Sequence, residues 1–216
     1  MKASIPRPRA PTPLPVWLIA VWLVVLTPAL AQNWQTAQAP GFVVRYVGRA
    51  DALHLPDVFR VLQKARQDLQ TMGLSLPPIV RVVIHPNLKS YTASTRLPWF
   101  VLAAAHRSKN QIDSQRLRVL RERGTLERTL RHELFHLAQP EGWPRWKAEG
   151  MAMRFAGEQP VARPLEAITE AELERLLTNP PDRETLRRAM ATAYRWTSRL
   201  VRSIINGLSA IDHRRN

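Results

Sequence analysis

The sequence predicts an α+β fold, with a small mixed β-sheet in the N-terminal half and helices in the C-terminal half. Three observations predict it. Two β-branched runs, FVVRYV (42–47) and IVRVVIH (79–85), flank a segment with helical spacing. From Thr125 onward nearly every segment carries apolar residues at helical spacing. No internal repeat interrupts this order of sheet first and helices after.

Each element follows from local chemistry. Residues 32–40, QNWQTAQAP, are polar and read as a loose lead-in to the first strand at 42–47. In LPDVFRVLQKARQDLQTMG (55–73), Val58, Val61, Leu62, Ala65, Leu69 and Met72 share one helical face and Gly73 stops the helix. The turn at Pro77 and Pro78 leads into the strand 79–85. HPNLKSYTAST reads as a loop with one helical turn, and 99–106 and 110–117 as two strands joined by the HRSKN turn. A helix over 125–138 ends at Pro140, and a second begins near Pro144, whose missing N–H is harmless in a first turn. Thr169 with Glu172 forms a capping-box signature for a third helix. A long apolar stripe over 182–208 predicts a fourth, with Tyr194 on it.

The chain has 216 residues, which suits one domain (32–216) behind a leader rather than two domains. Lys2, Arg7 and Arg9 precede the uncharged run VWLIAVWLVVL (16–26), and Ala29 and Ala31 offer a small-residue cleavage site. The run is shorter than the roughly 20 apolar residues that span a bilayer. The expectation is export to the periplasm or cell exterior with cleavage near Ala31; an uncleaved signal anchor is the alternative. Losing those three cations takes the formal charge from +15 to +12. A mature chain this basic can meet an anionic envelope surface, either wall polymer or lipid. Nucleic acid is not expected as a partner, because no helix-turn-helix, zinc finger or aromatic RNA-binding motif accompanies the charge.

The absence of cysteine excludes disulfides and thiolate ligands, so any metal site must use histidine and carboxylate. RHELFHL (131–137) fits that restriction. His132 and His136 lie one turn apart on one helix face, where both imidazoles reach a single ion. Glu133 is rotated by about 100° from His132 and approaches from the side, as a general base for an activated water rather than as a ligand. Leu126, Leu130, Leu134 and Leu137 form the flank that packs on the core. A catalytic zinc takes three protein ligands, so one more is required. A third histidine six residues after the second is excluded, because Gly142 stands there. Glu149, on a returning helix and followed by Gly150 for close helix approach, is the favoured third ligand. Glu141 and Glu158 are the other candidates.

HELFHL followed by a tryptophan-rich turn and W-x-x-E-G-M-A resembles the gluzincin metallopeptidases, most closely the peptidase MA-like domains of exported bacterial proteins. The resemblance covers residues 125–157 well and the preceding strands weakly. It implies Zn2+ bound by His132, His136 and Glu149, with Glu133 as general base acting on a peptide or protein substrate. It also implies that a strand within 99–117 forms an antiparallel edge lining the cleft. Members commonly stabilise the oxyanion with a Tyr or His from the helical half, where Tyr194 is the one tyrosine. Two features depart from the thermolysin branch. The gap from His136 to Glu149 is short, and Met153 stands where that branch has an aspartate bracing a histidine ligand. The remaining histidines read as outside the site: His106 as a surface residue, His54 and His85 as structural, His213 in a basic tail. The alternative function is a non-catalytic basic envelope protein on the same fold.

Overall fold

In the computed structural model the described residues are 33–212, with side chains described to Arg199. The leader and His213 lie outside them, as do the apolar side chains of the last helix beyond position 199. The fold is α+β, as expected. Five strands, β1 (Trp34–Ala39), β2 (Phe42–Val47), β3 (Val80–Ile84), β4 (Ala103–His106) and β5 (Gln111–Ser114), form one sheet in the order β1-β2-β3-β5-β4. The inner pairs β2/β3 and β3/β5 are parallel, and both edges, β1/β2 and β4/β5, are antiparallel. Eight helices lie among the described residues: α1 (Arg49–Ala52), α2 (Leu55–Thr71), α3 (Leu88–Thr95), α4 (Leu117–Glu122), α5 (Leu126–Ala138), α6 (Arg145–Ala156), α7 (Glu170–Thr178) and α8 (Arg183–Asp212). No helix among the described residues is long and apolar enough to cross a membrane.

Strand alternation divides the sheet into two faces. Phe42, Val44, Tyr46, Val80, Val82, Ile84 and Ile112 are buried on one face. They form a single core with Val58, Leu62, Ala65 and Leu69 of α2 and with Leu126, Leu130, Leu134 and Leu137 of α5. The apolar stripes read from both helices are therefore their packed faces, except for Met72, which lies just past the end of α2 and is 49% exposed. A smaller cluster joins Leu173, Leu176 and Leu177 of α7 to Ala189 and Ala193 of α8, with Trp146 of α6 against it. Arg131 ties α5 to α2 through Asp68 at 2.7 Å.

Several expectations are corrected. The stretch read as a loose lead-in is β1, paired residue for residue with β2 from Trp34↔Val47 to Ala39↔Phe42. It is an edge strand held by backbone pairing with no fully buried residue, so it carries no apolar alternation to read. Gly41, at φ 78°, supplies the left-handed residue of its turn. The single helical turn expected after β3 is the eight-residue α3, started by Asn87, whose side chain accepts from the Ser90 N–H at 2.8 Å. The strand expected over 110–117 stops at Ser114, and α4 takes over at Leu117. There the buried Asp51 accepts from the Leu117 N–H at 3.1 Å and satisfies the start of the helix. The strand read over 99–106 begins only at Ala103, and β4 and β5 join through a 3-10 turn, Arg107–Lys109, as the HRSKN signal suggested.

Candidate metal centre

The site stands where α6 turns back on α5. Helix α5 buries its leucines against the sheet, which directs His132 and Glu133 to the other flank, both buried, with His136 partly so. It ends at Gln139, whose extended backbone precedes Pro140, and Gly142 at φ 74° helps reverse the chain. Pro144 is the cap residue of α6, one position earlier than a first helical residue. The orphan N–H groups of Arg145 and Trp146 both donate to the Glu174 carboxylate of α7, at 3.0 and 2.9 Å. At the other end of α6, Arg131 of α5 donates twice to the Phe155 carbonyl, at 3.2 and 2.9 Å. Its guanidinium also lies over the Phe155 ring.

Between these two clamps α6 presents Glu149 to α5 and Gly150 to α8. A Cβ at Gly150 would lie 2.4 Å from the Ala193 carbonyl oxygen, so glycine is needed for the approach of α8, and not, as the sequence suggested, for the approach of α6 to α5. Glu149 Oε2 lies 3.1 Å from His132 Nε2 and 3.4 Å from His136 Nε2. His132, His136 and Glu149 thus stand close enough to hold one metal ion, with their ligand atoms all within 4.8 Å of one another.

Of the atoms pointing away from the centre, His136 Nδ1 and Glu149 Oε1 have close partners, and His132 Nδ1 makes no hydrogen bond. His136 Nδ1 meets Gln139 Oε1 at 2.9 Å, an arrangement that places the ring proton on Nδ1 and leaves the Nε2 lone pair for an ion. His132 Nδ1 faces Glu158 Oε1 at 3.4 Å. Glu149 Oε1 lies 3.2 Å from the Arg145 guanidinium.

The cluster is built to attract positive charge. Burial works against an imidazolium at His132, yet the carboxylates of Glu158, Glu149 and Glu133 outweigh it and raise its pKa well above the usual value. Burial likewise opposes the Glu149 carboxylate, but the two histidines hold it well below the carboxylate range. Glu133 is moved upward, chiefly by burial, with His132 and His136 opposing.

Of the sequence-predicted residues, the structure brings His132, Glu133, His136 and Glu149 together. Glu141 is 95% exposed and lies 4.0 Å from Arg107, away from the ligands. Glu158 is on the far side of His132 from Glu149. Tyr194 sits in α8 with the Arg154 guanidinium 4.2 Å over its ring, and none of the described hydrogen bonds or ion pairs joins it to the histidines. His106, read as a surface residue, is only 28% exposed and lies 3.2 Å from the buried Asp113, which His85 also meets at 2.6 Å. Sequence reasoning missed Gln139, Arg145 and Glu174. Gln139 and Arg145 had a signal, since Gln139 caps α5 three residues after His136 and Arg145 stands four residues before Glu149 on α6; Glu174 had none. Comparison of the chain with protein-family models, curated proteins and solved structures returns no match.

Proposed function

We propose that the chain is an exported zinc metallopeptidase of the gluzincin type. The convergence of His132 Nε2, His136 Nε2 and Glu149 Oε2, with Glu133 buried beside them, carries this reading. Zinc held there supplies Lewis acidity, activating a water and polarising a carbonyl. Glu133 is the general base: it takes the proton of the attacking water and returns it to the leaving amine. Glu149, steadied by Arg145, provides the anionic ligand, and Gln139 orients His136. The antiparallel edge strand β4 receives an extended peptide along its unpaired side. Tyr194 is the candidate oxyanion donor, and Tyr194→Phe tests it: loss of such a donor lowers kcat about 100- to 1000-fold.

The decisive experiment measures metal content and hydrolysis of an unfolded protein substrate by wild type and Glu133→Gln. We expect bound zinc in both, and a fall in kcat of about 100- to 10,000-fold in the variant. Absence of zinc from the wild type, or equal activity in the variant, contradicts the reading. The charge of +12 left after the leader favours a second reading, a basic envelope-binding protein. That reading calls for salt-sensitive, metal-independent binding to anionic vesicles or wall fragments without hydrolysis.

A further inference from the structure

The His132 ring stands between two carboxylates supplied by one helix and its closing turn. Glu149 Oε2 lies 3.1 Å from Nε2, and Glu158 Oε1 lies 3.4 Å from Nδ1. Nδ1 is fully enclosed and makes no hydrogen bond in the structure, and Glu158 is the carboxylate that stands within ion-pair distance of it. A glutamate just past a helix end ordinarily points into water. Here Gly157, at φ 68°, closes α6: its N–H donates to the Arg154 carbonyl at 3.1 Å, and the Glu158 N–H donates to the Met153 carbonyl at 2.8 Å. That 6→1 closure folds the chain back and leaves the Glu158 side chain only 25% exposed, against His132. Met153, the position at which the resemblance would place a bracing aspartate, is itself buried in packing.

We propose that Glu158 braces His132, accepting its Nδ1–H and so presenting the Nε2 lone pair to the metal. Glu158 is a positioning residue: it acts through His132, and the inference rests on the proposed metal centre. The two histidines are then braced differently, His132 by a charged acceptor and His136 by the neutral Gln139. A carboxylate makes the imidazole a stronger donor to a cation than an amide does. Metal retention therefore depends more on Glu158 than on Gln139.

The test titrates the purified protein with zinc against a chromophoric chelator, for wild type, Glu158→Ala, Glu158→Gln and Gln139→Ala. We expect Glu158→Ala to weaken zinc about 10- to 100-fold. Glu158→Gln, which keeps an acceptor without the charge, should fall between it and wild type, and Gln139→Ala should lose less. Nitrogen-15 shifts of His132 in the zinc-loaded wild type should show a protonated, exchange-protected Nδ1, with the protection lost in the variants. If Glu158→Ala does not fold, Glu158→Gln carries the test. Wild-type zinc affinity in the Glu158 variants, or an unprotected His132 Nδ1 proton, overturns the inference. A wild type that binds no zinc overturns it together with the metal centre, whereas zinc binding without hydrolysis overturns only the peptidase reading.

Discussion

Arg145 and Glu149 stand one helical turn apart, and the guanidinium lies 3.2 Å from Oε1, the carboxylate oxygen that the two imidazoles leave free. Each oxygen of Glu149 thus has its own task, one toward the histidines and one toward a cation on the same helix. Arg145 is half exposed, so water screens this contact and its value is modest. Arg145→Ala should weaken zinc by about 10-fold, at the low end for residues that orient a metal ligand. Arg145→Lys should recover part of the loss, and the difference should shrink as salt is raised in the same chelator titration.

Gly150 is a spacer whose absence of a side chain sets the distance between α6 and α8. In Gly150→Ala the new methyl meets the Ala193 backbone carbonyl, which cannot swing aside, as well as Thr197 Oγ1 at 2.6 Å. Overpacking of this kind costs about 1–3 kcal/mol, read as a lower urea midpoint with an unchanged slope. Because α6 must shift, zinc affinity should fall as well. A comparison variant, Gly157→Ala, meets open space and loses only the left-handed backbone preference, about 1–2 kcal/mol.

Glu174 caps α6 from another helix. In Glu174→Ala two N–H groups lose their acceptor and the positive helix end loses its counter-charge. A loss of about 1 kcal/mol is expected, the usual effect of removing an N-terminal cap. Hydrogen exchange should locate it, with faster exchange in the first turn of α6 and little change in α5.

Asp113 gives a pH dependence. Burial alone would lift its carboxyl; hydrogen bonds from His85 and Gln111, with His106 nearby, outweigh burial and hold it below the usual carboxylate value. A lowered folded-state pKa contributes stability that is complete above the unfolded value of about 3.9 and is lost as pH falls below it. Unfolding free energies of wild type and Asp113→Asn should therefore differ by a constant amount at neutral pH, and the gap should narrow below about pH 4. A gap that widens on acidification contradicts this.

The sequence disclosed the elements whose burial is one-sided. In α2 and α5, apolar residues recur every three or four positions because one face meets the sheet, and that periodicity is visible in any one chain. The heptad and WKAEGM could be read because ligand spacing on a helix is local geometry. What stayed hidden depends on partners distant in sequence. WQTAQA becomes a strand through backbone bonds to β2, and α4 starts where it does because Asp51, 66 residues earlier, receives its first N–H. Tyr91 and Asp113 are buried by α3 and the sheet together, so no local pattern marks them. Glu158 was legible as a candidate, but which nitrogen of His132 it serves depends on how Gly157 turns the chain.

Helix α6 is gripped at its first turn by Glu174 and at its last by Arg131, and neither grip uses a metal-binding atom. The third ligand is therefore docked by the fold itself rather than recruited by the ion. A cation entering such a preassembled centre would pay little to assemble its coordination shell. Removing that cation should leave a folded protein, ready to reload, in contrast to small zinc domains that unravel when stripped. The lintel holds whether or not anything stands beneath it.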